Sequence, residues 1–143
     1  MKVIGIHLAP GRRLAMKDVA SVTAEAGKGL VGDRYHGAKH RHVTLQAQDA
    51  LDDAAARLGM EFRAHQTRRN ITVDRGPVPT TPGERLRIGD VELEVVRIAA
   101  PCRILDDTIA PGAAEALRRR AGTVFRILQG GEISVGDEVH GVP

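Results

Sequence analysis

The chain has 143 residues, with Lys+Arg 21 against Asp+Glu 18 and a formal net charge of +3. That length suits one domain over residues 1–143 with an ordinary buried core, and a charged fraction of 27% with apolar residues spread throughout excludes wholesale disorder. No apolar run is long enough to span a membrane. Met1-Lys2-Val3-Ile4-Gly5-Ile6-His7 lacks the apolar core of a signal peptide, and one cysteine excludes an internal disulfide and points to a reducing compartment, the cytoplasm.

Taken in chain order, the apolar pattern is mostly short and alternating. Val3, Ile4, Ile6 and Leu8 predict a first strand, and Val19, Val22 and Ala24 a second that ends at Gly27. Val43 and Leu45 alternate with polar residues. Asp49 to Leu58 carries apolar residues at helical spacing, with Gly59 placed to stop the helix. Ile71 and Val73 alternate again, and Pro77, Pro79, Pro82 and Gly83 read as a rigid surface loop. Leu86 and Ile88, then Val91 to Ile98, form two strands about the turn Gly89-Asp90. A second helix is expected from Ala113 to Ala121 after Pro111, with Gly122 as its stop and Arg118-Arg119-Arg120 as a solvated last turn. Val124, Ile127 and Leu128, then Ile133, Val135 and Val139, complete the chain. Period-two alternation with frequent turns predicts a mostly β fold, a sheet closed on itself or two packed sheets.

The charge invites a nucleic-acid partner, because the isoelectric point is about 9.5. Aromatic residues are only 2% (Tyr35, Phe62 and Phe125) and there is no tryptophan, so stacking platforms for bases are missing. Clustered basic residues on a small net charge suit a small anionic ligand better than a polymer.

Four segments carry candidate chemistry. Ala26 to Gly37 holds four glycines with Lys28 and Arg34. Such a loop lets backbone N–H groups surround an anion, or it is a tight turn with surface charges; it fits neither the Walker nor the dinucleotide glycine pattern. Thr67-Arg68-Arg69-Asn70-Ile71 predicts a strand that sends its adjacent arginines to opposite faces, one of them free to fork onto phosphate or carboxylate oxygens, or else to pair with an acid on the next strand. Pro101-Cys102-Arg103 follows a strand and sets a thiol beside a cation. A thiolate there can bind a soft metal or hold sulfane sulfur as a persulfide, although a lone cysteine is more often a small buried hydrophobe. His36, His40 and His42 lack a standard zinc spacing, and one of them can still donate to an anion or shuttle a proton. No Ser–His–Asp elbow is present.

In this order, the pieces resemble the MOSC domain, the C-terminal domain of molybdenum cofactor sulfurases. The resemblance rests on Lys28-Gly29-Leu30-Val31-Gly32-Asp33-Arg34-Tyr35-His36, Arg41-His42-Val43-Thr44-Leu45 and Arg68-Arg69-Asn70-Ile71. It continues through Leu86-Arg87-Ile88-Gly89, Pro101-Cys102 and Gly130 to Asp137, and so covers nearly the whole chain. It implies a closed or partly open β-barrel with a few short helices. It also implies binding of the molybdenum cofactor (molybdopterin), a pterin with a dithiolene and a phosphate, with Cys102 as metal ligand or sulfur carrier. By the same resemblance the pocket draws on Lys28, Gly29, Gly32, Asp33, Arg34 and His36 and on Arg68, Arg69 and Asn70; Arg103 joins them as the cation next to the thiol. Lys28, Arg34 and one of Arg68/Arg69 are assigned to the phosphate or pterin edge, and Asn70 to the pterin or to orienting a neighbour.

The pyridoxal-phosphate domain of the large sulfurases has no room here. The chain is therefore expected to receive sulfur from a partner such as a cysteine desulfurase, or to reduce N-hydroxylated compounds with electrons from a donor protein. A non-catalytic sulfur carrier is the second reading, and a nucleic-acid-binding barrel the third; neither nucleic acid nor membrane is an expected partner.

Overall fold

Alternation along each strand turns one row of apolar side chains into a shared interior. A computed structural model describes all residues, 1–143. Its strands are β1 (Val3–Leu8), β2 (Lys17–Val19), β3 (Ser21–Glu25), β4 (Gly29–Leu30), β5 (Val43–Ala47), β6 (Ile71–Val73), β7 (Arg85–Ile88), β8 (Val91–Ile98), β9 (Thr123–Gln129), β10 (Gly131–Ser134) and β11 (Val139–Val142). The helices are α1 (Gln48–Leu58), α2 (Ile104–Thr108) and α3 (Ala113–Ala116), with a 3-10 turn over Ala64–Thr67.

Eight strands form one sheet in the order β11-β7-β8-β9-β5-β6-β1-β2, and β10-β3-β4 form a second. Every pairing is antiparallel except β5 with β6, where Leu45 faces Ile71 and the connection runs through α1. The large sheet curls until the start of β1, next to one edge, meets the start of β11 at the other edge. Lys2 bridges Glu138, Val3 N–H donates to the Asp137 carbonyl at 2.9 Å, and Val139 N–H donates to the Met1 carbonyl at 2.8 Å. No continuous ladder joins them, so the barrel is partly open.

Twenty buried apolar residues fill the interior, Phe125, Leu45, Ile71, Leu93 and Ile127 among them. A smaller cluster of six (Leu51, Ala54, Leu105, Ala113, Leu117 and Ala121) glues α1, α2 and α3 together outside the sheet. Helix α1 ends as expected: Gly59 takes φ 75° and donates its N–H to the Ala55 carbonyl.

Several local expectations are corrected. The second helix stops at Ala116 rather than Ala121, because Arg119 at φ 63° leaves the helical region before Gly122 is reached. Within the basic triplet, Arg118 and Arg119 are exposed, whereas Arg120 Nε reaches Asp53 Oδ2 on α1 at 2.6 Å. Val19 and Val22 lie on separate strands, since the chain passes at Ala20 from the large sheet to the small one. Val135 is 45% exposed in the turn after β10. Arg68 is not on a strand: it closes the 3-10 turn at φ 63°, and β6 begins only at Ile71. Helix α2, five residues long, is too short to show a period in the sequence.

Candidate functional site

The site grows from three loops tied together by two buried polar side chains. Asp33, 5% exposed, accepts the Ala9 N–H at 2.8 Å and the Tyr35 N–H at 3.2 Å on its two carboxylate oxygens. Arg34 N–H returns a bond to the Ala9 carbonyl at 2.8 Å. These bonds fasten the loop after β1 to the loop after β4. Asn70 holds the third segment. Its Nδ2 donates to the His7 carbonyl at 3.1 Å and to Asp33 Oδ1 at 3.2 Å, while its Oδ1 accepts the Thr44 N–H and hydroxyl at 3.0 and 3.1 Å. A buried carboxylate and amide with their bonding capacity used this fully make a rigid frame.

Two arginines extend the frame. Arg69, 6% exposed, donates from Nε to the Ala121 carbonyl at 2.8 Å and from Nη2 to the Ala100 carbonyl at 2.9 Å. It thereby pins the segment that carries Cys102. Arg68 Nη1 donates to the Leu14 carbonyl at 2.7 Å and holds the far end of the loop after β1, while its buried Nη2 has no partner.

A cleft of about 180 Å³ opens where these loops meet. Arg12, Arg13, Arg34, Arg68 and Arg69 line it, with Tyr35, Thr67 and Cys102, over a floor of Ala9, Ile104 and Leu105. The Cys102 thiol is free and exposed. None of the five guanidinium groups has a carboxylate within 4.0 Å; the arginines that pair with acids are Arg57, Arg85, Arg87, Arg120 and Arg126. Burial, and then the nearby Arg41 guanidinium, lowers Arg69 to about 10, partly offset by Tyr35 and by Cys102. Five arginines and one thiol, with no acid in ion-pair contact, give the cleft a cationic lining of the kind that suits an anion.

The four residues Cys102, Arg34, Arg68 and Arg69 meet in this cleft. Asp33 and Asn70 sit behind it and act on the loops. Lys28, Gly29, Gly32, His36 and Arg103 are not among the lining residues. His36 Nε2 lies 3.1 Å from Glu25 Oε1, Lys28 is exposed on the turn after β3, and Arg103 is exposed at the start of α2. Gly29 has φ 137°, and a Cβ there would stand 3.2 Å from His36 Cα and 3.3 Å from the His42 carbonyl oxygen. Its glycine serves a close approach of backbone to backbone. The buried His42 accepts the Ile127 N–H on Nδ1 at 2.9 Å, and burial holds it below the usual imidazole range. Sequence reasoning missed Arg12 and Arg13; the available signal was Pro10-Gly11-Arg12-Arg13, a turn with two cations directly after a strand.

A family model for the MOSC domain matches residues 32–140, more than half of the chain. The chain belongs to the MOSC domain family. This MOSC chain also matches crystal structures of three bacterial proteins. YuaD from Bacillus subtilis superposes with a TM-score of 0.87 at 18% identity, over 99% of this chain and 96% of that one. YiiM from Geobacillus stearothermophilus gives 0.79 at 18% identity, over 99% and 75%. YiiM from Escherichia coli gives 0.75 at 17% identity, over 100% and 70%. At these identities the likeness speaks for the fold. No curated protein matches the MOSC chain, and none of its helices is long and apolar enough to cross a membrane.

Proposed function

We propose that this MOSC protein binds the molybdenum cofactor in the Cys102 cleft and acts, in the cytoplasm, in sulfur transfer or in reduction of N-hydroxylated compounds. The observation that carries the reading is the exposed thiol inside a ring of five arginines that have no acidic partner. The donor set fits the group: a phosphate and an electron-rich dithiolene call for guanidinium forks, and a thiolate is a soft ligand suited to a heavy metal. The cleft, about 180 Å³, is smaller than the roughly 300–1,000 Å³ of a pocket that engulfs a small molecule, so it would not enclose a whole ligand of cofactor size. Arg12, Arg13, Arg34 and Arg68 would hold the anionic groups, and Cys102 the metal.

The cofactor, when bound, supplies a redox-active molybdenum centre. The chain's own residues do the rest. Arg69 fixes the segment bearing Cys102 through the Ala100 and Ala121 carbonyls. Asp33 and Asn70 hold the arginine-bearing loops at their spacing before any ligand arrives, which reduces the ordering that binding requires. Lys28, Gly29, Gly32, His36 and Arg103 lie outside the lining, in the glycine-rich turn and at the start of α2.

Metal analysis of protein expressed in a cofactor-competent host tests the reading. Molybdenum is expected in the wild type and strongly reduced in Cys102→Ser. Equal molybdenum in both removes the ligand role, and none in either overturns cofactor binding.

A second reading draws on the exposure of Cys102, which leaves the sulfur open to another protein. As a carrier, the Cys102 thiolate attacks the terminal sulfur of a donor's cysteine persulfide. The donor's S–S bond breaks, a new one forms on Cys102, and the donor keeps the electron pair as its thiolate, so no external oxidant or reductant is needed. Mass spectrometry after incubation with a cysteine desulfurase and free cysteine is expected to show one added sulfur on Cys102. A thiol that stays unmodified refutes the carrier role.

A further inference from the structure

The cationic surface does not end at the cleft. Arg41 packs on the Tyr35 ring with its Cζ 4.0 Å from the centroid, and Arg34 packs on the same ring at 4.6 Å. Arg41 Nε is buried with no hydrogen-bond partner. Arg97 makes one long bond, from Nη1 to the His40 carbonyl at 3.4 Å. Neither Arg41 nor Arg97 has a carboxylate within 4.0 Å, and neither lines the Cys102 cleft. The acid acting on Arg41, Asp33, already receives the Ala9 and Tyr35 N–H groups and the Asn70 amide. Glu94, on the neighbouring strand, is taken by Arg126 and Arg85.

Like charges therefore stand together, opposed by Tyr35 and by the already engaged Asp33. Burial leads in depressing Arg41, and Arg97 and Arg34 add to it; Arg41 and Arg97 in turn act on Arg69. No carboxylate is in ion-pair contact with Arg41 or Arg97. A tetrahedral dianion supplies that contact, because it accepts two guanidinium forks at once.

We infer that Arg41 and Arg97, beside the Tyr35 ring, form a second anion subsite that takes a phosphoryl group, separate from the anion site of the Cys102 cleft. The inference shares Tyr35 and Arg34 with the cleft and otherwise stands on Arg41 and Arg97, which lie outside its lining. The phosphoryl group belongs either to the far end of one extended ligand or to a separate molecule.

Phosphate binding followed by ³¹P NMR and by melting temperature tests it, with orthophosphate and then ADP as probes. The wild type is expected to bind two orthophosphate equivalents. Arg97→Gln should weaken one of them about tenfold, the effect of losing a charge-assisted hydrogen bond, and Arg12→Gln should weaken the other. In phosphate-free buffer Arg97→Gln should melt no lower than the wild type, since it removes a repelling charge, and phosphate should raise its melting temperature less. Two undiminished equivalents in Arg97→Gln, or a lower melting temperature without phosphate, overturn the subsite. Loss of the Arg12-dependent equivalent alone strikes the cleft reading and leaves the subsite standing. One ADP displacing both phosphates marks a single ligand spanning the two sites, and one ADP displacing a single phosphate marks separate occupants; either outcome supports the subsite.

Discussion

Replacing Asn70 with aspartate changes one atom pair in the frame behind the cleft. In the wild type, Asn70 Nδ2 donates to Asp33 Oδ1 at 3.2 Å and to the His7 carbonyl at 3.1 Å. Asn70→Asp keeps the shape and replaces that donor with a carboxylate oxygen facing another carboxylate in a buried site. At an effective dielectric of about 20, two unit charges at that spacing repel by about 5 kcal/mol. The chain avoids that repulsion by taking up a proton, which restores a donor. Starting from an ordinary aspartate pKa near 3.9, protonation at neutral pH costs about 4 kcal/mol. The folded state then holds a proton that the unfolded state has released. The variant must therefore lose stability as pH rises, by about 1.4 kcal/mol per unit relative to the wild type, from about pH 5 to the pH at which the folded pair releases its proton. Urea unfolding followed by far-UV circular dichroism at pH 5, 6 and 7 measures the difference. A deficit that is independent of pH, or below about 1 kcal/mol at pH 7, refutes the claim that Asn70 and Asp33 form a desolvated pair.

Further outcomes follow from the same geometry. Arg69→Leu strands the Ala100 and Ala121 carbonyls and should lower stability by about 2–4 kcal/mol in urea unfolding; a loss within 0.5 kcal/mol or so would show those carbonyls to be solvated. Because His42 is held neutral by burial, its folded pKa lies below the unfolded value, so the unfolded chain takes up the proton first and stability should fall as pH drops below about 6.5. His42→Asn, which can still accept the Ile127 N–H, should flatten that dependence in melting curves; an unchanged slope assigns it to other groups. Cys102→Ser should leave the melting temperature within a few degrees of the wild type, since the thiol is exposed, and a large drop would give Cys102 a packing role.

Much of the fold was legible because its signals are local. Alternation announced β1, β5, β6 and the β7–β8 hairpin, and Asp49 to Leu58 announced α1 with Gly59 at its end. The site was legible only in part. Cys102, Arg34, Arg68 and Arg69 were singled out by residue type and meet in the cleft, but the argument that strand alternation would separate Arg68 from Arg69 does not hold, because a left-handed residue and a turn precede β6. Asp33 was expected in the pocket and Asn70 either on the pterin or orienting a neighbour; both spend their hydrogen bonds on the chain, Asn70 on Thr44, His7 and Asp33. Arg12 and Arg13 were marked only by the turn Pro10-Gly11, Arg41 only as part of Arg41-His42-Val43-Thr44-Leu45, and Arg97 by nothing, since what unites them lies across the sheet.

By itself, the sequence determined the strand-rich architecture and the family and singled out the one thiol, because periodicity, turn residues and ordered motifs act over a few neighbouring positions. The tertiary structure decided which cations face that thiol and which polar groups brace them. Those choices depend on contacts such as Asn70 with His7, Arg69 with Ala121 and Arg68 with Leu14, each joining residues more than fifty positions apart, and no local pattern encodes where such distant segments will meet.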